Sequence, residues 1–203
     1  MKKYYFLAFI FVSFISCKNS EFRKIDLNGT EQIVFKGDYF KTEKGKRLNN
    51  EGVEFGKEGY TEKANELLLK ADKIEPNNAT ILNNIGITYS HLNNYNKAIE
   101  YYLKSIKVSD STYLNAGNNL SLNYFRTGEF EKGVEIANFV ITKSNNKLQT
   151  AMARIHKSFN LTALGKCEKA KVELKKIEKL MAENSGLQNQ VDLIKSKIKN
   201  CVQ

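Results

Sequence analysis

Apolar, aromatic and small residues recur along this chain with a period of roughly 34 residues, the length of a stacked helix–turn–helix unit. Six columns keep one register. Phe55 is matched by Tyr89, Tyr124 and Leu161; Gly52 by Gly86, Ser121 and Ser158; Leu68 by Tyr102, Ala137 and Leu174. Ala71 is matched by Ser105, Val140 and Ile177, Ala64 by Ala98, Gly133 and Ala170, and Gly59 by Asn93, Gly128 and Gly165. Small residues at fixed places let the two helices of a pair approach closely, and bulky apolar ones fill the face between them. The pattern predicts an all-α chain: an α-solenoid of about four helix pairs, about nine helices in all, each contacting mainly its neighbours. With 203 residues and a single Pro, the chain accommodates one such elongated domain. A closed helical bundle, the rival arrangement, has no need of columns in register.

The first two units read LNNEGVEFGKEGYTEKANELLLKADKIEPNN and LNNIGITYSHLNNYNKAIEYYLKSIKVSD. They resemble the tetratricopeptide repeat, and the resemblance extends over residues 45–184, in units of about 45–78, 79–112, 114–147 and 151–184. Unit three slips by one residue and unit four by two more, which places the extra residues in turns near Ser111 and Leu148, where loops absorb them cheaply. Leu48, Leu82, Gly117 and Arg154 stand where the family has a bulky Trp, only unit one keeps the closing Pro, at Pro76, and Cys167 replaces a usual aromatic. A last amphipathic stretch, LQNQVDLIKSKIKN, is read as a capping helix within residues 185–203.

The N-terminus bears on location. MKK followed by YYFLAFIFVSFI is a charged region and an apolar stretch too short to span a bilayer, so residues 1–16 read as a secretion signal. The segment ends FISC, which resembles the lipobox of bacterial lipoproteins, with Phe14 in place of the usual Leu. That resemblance implies lipidation at Cys17 and a site in the bacterial cell envelope, on the outer membrane and facing the periplasm. An ordinary secreted protein with a cysteine at the cleavage point is the other reading. Residues 17–44 form the lipidated end and a tether spanning roughly 30 Å if flexible. Within it QIVFKGDYF is apolar enough to add a strand or to pack on the first repeat.

Charge alters the choice of partners. The sequence carries 32 basic against 22 acidic residues, a net +10, which attracts anions. No nucleic-acid-binding motif is present, and an exported chain rarely meets nucleic acid, so acidic peptides, anionic lipids or acidic glycans are the expected partners. Lys166, Lys169, Lys175, Lys176, Lys179, Lys195 and Lys199 read as a solvated outer face of the last helices.

Candidate chemistry is sparse. His91 and His156 have no carboxylate or nucleophile at a suggestive spacing, no phosphate-binding, metalloprotease, serine-hydrolase or dinucleotide motif occurs, and no catalytic residue, metal or cofactor is expected. In the repeat register Cys167 begins the second helix of unit four, and the capping helix returns antiparallel to end at Cys201. The two are a candidate disulfide, stabilising on the order of 3 kcal/mol by the loop-entropy estimate. Two unpaired thiols are the alternative.

The resemblance implies that first helices of successive repeats line a concave groove holding a partner peptide. The register places Lys46, Asn49, Asn50, Val53 and Lys57 there from unit one, Asn83, Asn84, Ile87 and His91 from unit two, and Asn115, Asn118, Asn119, Leu122 and Arg126 from unit three. The pairs Asn49–Asn50, Asn83–Asn84 and Asn118–Asn119 occupy one place in three units. An amide both donates and accepts, so such rungs suit the backbone of an extended peptide, or else one amide of each pair bonds a neighbouring helix. Lys57 and Arg126 are placed to hold an acidic group, with Val53, Ile87, Leu122 and Phe159 between the polar rungs. Val53 stands where the carboxylate-clamp members of the family have Asn, so no clamp is expected.

The function so implied is a membrane-anchored adaptor or scaffold binding a protein or peptide. An accessory lipoprotein of an outer-membrane assembly or transport machine, and a glycan- or peptidoglycan-binding accessory protein, are the alternatives.

Overall fold

The structure, a computed structural model, describes residues 21–27, 30–36, 40–110, 113–181 and 187–201. Residues 1–16, read from sequence as a secretion signal, and Cys17 lie outside the described residues. A two-stranded antiparallel hairpin comes first, β1 (Glu21–Leu27) pairing with β2 (Thr30–Lys36) from Glu21 opposite Lys36 to Leu27 opposite Thr30. The apolar QIVFK run thus pairs with its own upstream neighbour. Helices follow: α1 (Glu43–Lys57), α2 (Thr61–Ile74), α3 (Ala79–His91), α4 (Tyr95–Val108), α5 (Leu114–Thr127), α6 (Phe130–Lys143), α7 (Lys147–Ala163), α8 (Cys167–Met181) and α9 (Gln188–Cys201).

The repeat domain is an all-α solenoid of four antiparallel helix pairs, α1–α2 to α7–α8, closed by α9. Side-chain caps set several helix starts. Thr42 accepts from Gly45 N at the head of α1, and Asn78 accepts from Thr80 N and Ile81 N at the head of α3. Asn146 accepts from Gln149 N, which starts α7 at Lys147. The fourth unit therefore begins ahead of residue 151, and the inserted Leu148 lies inside a helix rather than in the turn. Within each pair the chain reverses through a left-handed residue, at φ 87° for Gly59, 58° for Asn93, 81° for Gly128 and 68° for Gly165. One repeat column is thus explained by backbone angle, since a Cβ at those three glycines would meet nothing.

Another column is explained by contact. A Cβ on Gly86 would fall 2.6 Å from the ring of Tyr102, so α3 and α4 approach as closely as they do only with glycine there. The core is a series of clusters, one passing into the next: Leu68, Ile81 and Ile85 at the first interface, then Val53, Ile87, Tyr102, Leu120 and Tyr124, then Ile155, Phe159 and Ile177. Val191, Ile194 and Ile198 form one stripe of α9 and close the last cluster. Cys167 and Cys201 are joined by a disulfide with Cα atoms 5.9 Å apart, tying the end of α9 to the start of α8. The outer lysines Lys166, Lys169, Lys175, Lys176, Lys195 and Lys199 are exposed. Among the described residues no helix is long and apolar enough to cross a membrane.

Candidate functional site

The first helices make the inner layer of the solenoid. Ten of the 13 residues of α3 and ten of the 14 of α5 are buried, against three of 14 in α4 and three of 14 in α6. An inner helix touches its own partner and the pairs on both sides, so little of its circumference is left to solvent.

That burial corrects the expected groove. Asn84 Nδ2 donates to Asn49 Oδ1 at 2.9 Å across α3 and α1, and Asn119 Nδ2 donates to Asn83 Oδ1 at 3.0 Å across α5 and α3. Within each pair Asn83 donates to Asn84 and Asn49 to Asn50, both at 3.3 Å. One directed chain of amides therefore runs from Asn119 through Asn83, Asn84 and Asn49 to Asn50, linking three first helices. Asn49 and Asn83 are wholly buried, and Asn84, Asn118 and Asn119 nearly so. Asn118 Nδ2 donates to the carbonyl of Gln149 on α7 at 3.2 Å, and Gln149 Nε2 donates to Asn115 Oδ1 at 2.9 Å. These amides are inter-repeat staples in this structure, and the peptide rungs expected of them are taken up by their neighbours. Val53, Ile87, Leu122 and Phe159 are likewise buried, not contacts along an open groove.

What stays partly open on this layer is a polar and basic set. Lys46, Asn50, Lys57, His91 and Arg126 are half-buried. Lys57 pairs with Glu54 at 2.8 Å one turn earlier. Arg126 donates from Nη1 to Ser90 Oγ and lies 5.6 Å from the ring centroid of Tyr95. Burial, together with the Arg126 charge, pushes the His91 pKa down to about 4. His156, behind this site on α7, is held at about 4 by burial above all, with Arg126 adding to the shift and a hydrogen bond involving Asn118 opposing it. Both imidazoles are neutral at pH 7. The buried Tyr102 hydroxyl, raised by burial and beside Ser90 and Asn123, completes a polar centre around Arg126. Sequence reasoning named His91 and Arg126 in this centre and missed Ser90, Tyr95, Tyr102 and Asn123. The matching of Tyr102 to the filled column hid its hydroxyl.

Unit four holds a second buried polar feature that sequence reasoning missed. Glu173 of α8, with its side chain 6% exposed, pairs with Arg154 of α7 and with Lys157 at 2.8 Å. These partners lower its pKa against the rise that burial alone would cause. Arg154, the departure from the bulky family position, is therefore a charge neutralised inside the helix pair. Among the described residues no group of three His, Cys, Asp or Glu side chains is placed to hold a metal ion.

The fold and the inner layer define a helix-pair solenoid. Residues 79–111, spanning α3 and α4, match the family model described as tetratricopeptide repeat. No curated protein matches the chain. Among solved structures it is similar to MamA from residue 41 to the end, from Desulfovibrio magneticus RS-1, at 16% identity and TM-score 0.61, over 79% of this chain and 90% of that one. It is similar to the Sgt2 TPR domain from Aspergillus fumigatus at 25% identity and TM-score 0.56, over 66% of this chain and 86% of that one. BtubC from P. vanneervenii aligns at 17% identity and TM-score 0.63, over 70% of this chain and 65% of that one. Residues 79–111 thus match a tetratricopeptide repeat, and the helix pairs on either side stack with it in the fold of these solved structures.

Proposed function

We propose that this protein is an envelope-anchored adaptor, held to a membrane by lipid on Cys17, that binds an acidic protein segment on its first-helix layer. The observation that carries the reading is the division of labour on that layer. The amide chain fixes α1, α3 and α5 relative to one another, while Lys57, His91 and Arg126 stay half-open beside it. A rigid inner layer keeps such positions pre-organised, so little ordering entropy is lost on binding. Binding rather than catalysis fits the chemistry: the two histidines are neutral at pH 7, His156 buried and His91 half-buried. The lipobox-like FISC segment, the net positive charge and the disulfide all suit an exported chain.

Two experiments test the two halves. Mass spectrometry of the membrane-extracted protein should find Cys17 N-terminal and acylated, and a Cys17→Ala variant should leave the membrane fraction; an unmodified N-terminal segment would remove the anchor from the account. A Lys57→Gln, Arg126→Gln variant that keeps its helical spectrum should lose its protein partner, and retention of that partner would move the binding surface elsewhere.

A further inference from the structure

A second feature lies away from the first-helix face, on the edge of the solenoid where the first helices begin. A cavity of about 430 Å3 opens there, walled by Lys41 ahead of α1, Glu75, Thr80 in the first turn of α3, and Tyr113, Leu114 and Asn115 at the head of α5. This volume falls in the roughly 300–1,000 Å3 range of small-ligand sites, larger than a lone ion requires.

The groups on its wall call for acceptors. The head of a helix presents main-chain N–H groups and a partial positive charge. At α3 those donors are used, because Asn78 Oδ1 takes Thr80 N at 3.0 Å and Ile81 N at 3.2 Å. At α5 they are not capped in this way: Tyr113, its N-cap residue, gives no side-chain cap to the first-turn amides. Independently, Thr80 is 1% exposed, and among the described residues its hydroxyl has no hydrogen-bond partner. A buried hydroxyl without a partner is rare and marks a place where a ligand or solvent atom belongs.

Glu75, on the same wall, does not compete for these donors. Its Oε1 accepts from Lys41 N at 2.8 Å and Asn78 Nδ2 at 2.7 Å, and its Oε2 from Thr42 N at 3.2 Å and Thr42 Oγ1 at 3.1 Å. These four donors hold the carboxyl below its usual pKa although burial works the other way. With its oxygens already taken by these donors and Lys41 on the same wall, the helix heads and the bare Thr80 hydroxyl are left to choose the ligand.

We propose that this edge cavity is a second binding site, which takes the carboxylate of an acidic protein segment through the Thr80 hydroxyl and the first-turn amides of α5. It lies at the heads of the first helices, whereas Lys57, His91 and Arg126 lie at their far ends, so it holds whether or not those residues bind a partner.

The test uses the folded full chain labelled with 15N, titrated with capped hexaglutamate and, separately, with inorganic phosphate. Hexaglutamate is expected to shift the amide signals of Leu114 and Asn115, with a Kd that rises about tenfold or more in Thr80→Val and changes no more than about twofold in Thr80→Ser, which keeps the hydroxyl. Thr80→Val should also melt no lower than wild type, since it removes a buried hydroxyl that bonds nothing in the unliganded chain. An Arg126→Gln variant should bind hexaglutamate at this site as wild type does. Unchanged affinity in Thr80→Val, or shifts confined to Lys57, His91 and Arg126, would overturn the proposal. Phosphate binding as tightly as hexaglutamate would make this a site for free oxyanions and overturn the assignment to a protein segment.

Discussion

A buried side-chain amide has donors and an acceptor to satisfy, and Asn84 satisfies them in both directions along the ladder, giving a hydrogen bond to Asn49 and accepting one from Asn83. Replacing Asn84 with Leu leaves two buried neighbours short of a partner, and we expect a loss of roughly 2–3 kcal/mol in urea denaturation. A loss below about 0.5 kcal/mol would mean that the ladder is incidental to stability. The histidines give a pH signature. His156 titrates near 6.5 when unfolded and near 4 in the fold, so the unfolded chain takes up the proton first as pH falls. The stability it confers is complete above about pH 6.5 and is lost as pH drops toward 4, on the order of 3 kcal/mol across that window. Melting temperatures recorded between pH 7 and 4 should fall less steeply in His156→Gln than in wild type. The residue scale is also where sequence was least informative. Paired amides in one register suit peptide rungs and helix staples equally, and only the burial of Asn49, Asn83 and Asn119 decides between them. The lone Thr80 hydroxyl gave no sequence signal at all.

At the scale of elements, two repeat columns that look alike in sequence rest on different physics. Gly86→Ala pushes a methyl into the Tyr102 ring and should cost about 2 kcal/mol or more, because neither helix backbone can retreat without opening the core. Gly128→Ala meets no atom but must hold φ at 81°, so about 1 kcal/mol is expected. Denaturant midpoints of the two variants check the order, and equal values would contradict it. The ion cluster of unit four behaves as one element too. Glu173→Ala leaves Arg154 and Lys157 without their buried counter-charge and should destabilise by about 3 kcal/mol, measured the same way. Helix pairs were legible in sequence because their period repeats and their small residues cannot move. The hairpin was legible only in part: QIVFKGDYF is apolar enough for one strand and Asn28-Gly29, between the paired Leu27 and Thr30, is a two-residue turn signal, but the partner strand Glu21–Leu27 shares no column with the 34-residue repeat. The pairing of Arg154 with Glu173 escaped because nothing in linear spacing ties a family departure on one helix to a carboxylate on the next.

For the whole molecule, the solenoid is a stack whose stability passes from neighbour to neighbour, so its ends need closing. At the C-terminal end α9 and the Cys167–Cys201 disulfide do this. The capping helix was read from sequence, and its antiparallel return made the disulfide a candidate beside two unpaired thiols, because it brings the cysteines to the same end. Reducing the bond should loosen α9 ahead of the inner helices, seen as hydrogen exchange that speeds in residues 188–201 and not in α3 or α5. The account as a whole stands on the claim that this stack presents its first-helix layer to a protein partner. Cross-linking in the native envelope, followed by mass spectrometry of wild type beside the Lys57→Gln, Arg126→Gln variant, tests it most directly. The account predicts one specific partner, cross-linked through α1, α3 and α5 and absent from the folded variant. The same partner retained by the variant, or cross-links confined to the outer faces of α2, α4 and α6, would contradict it.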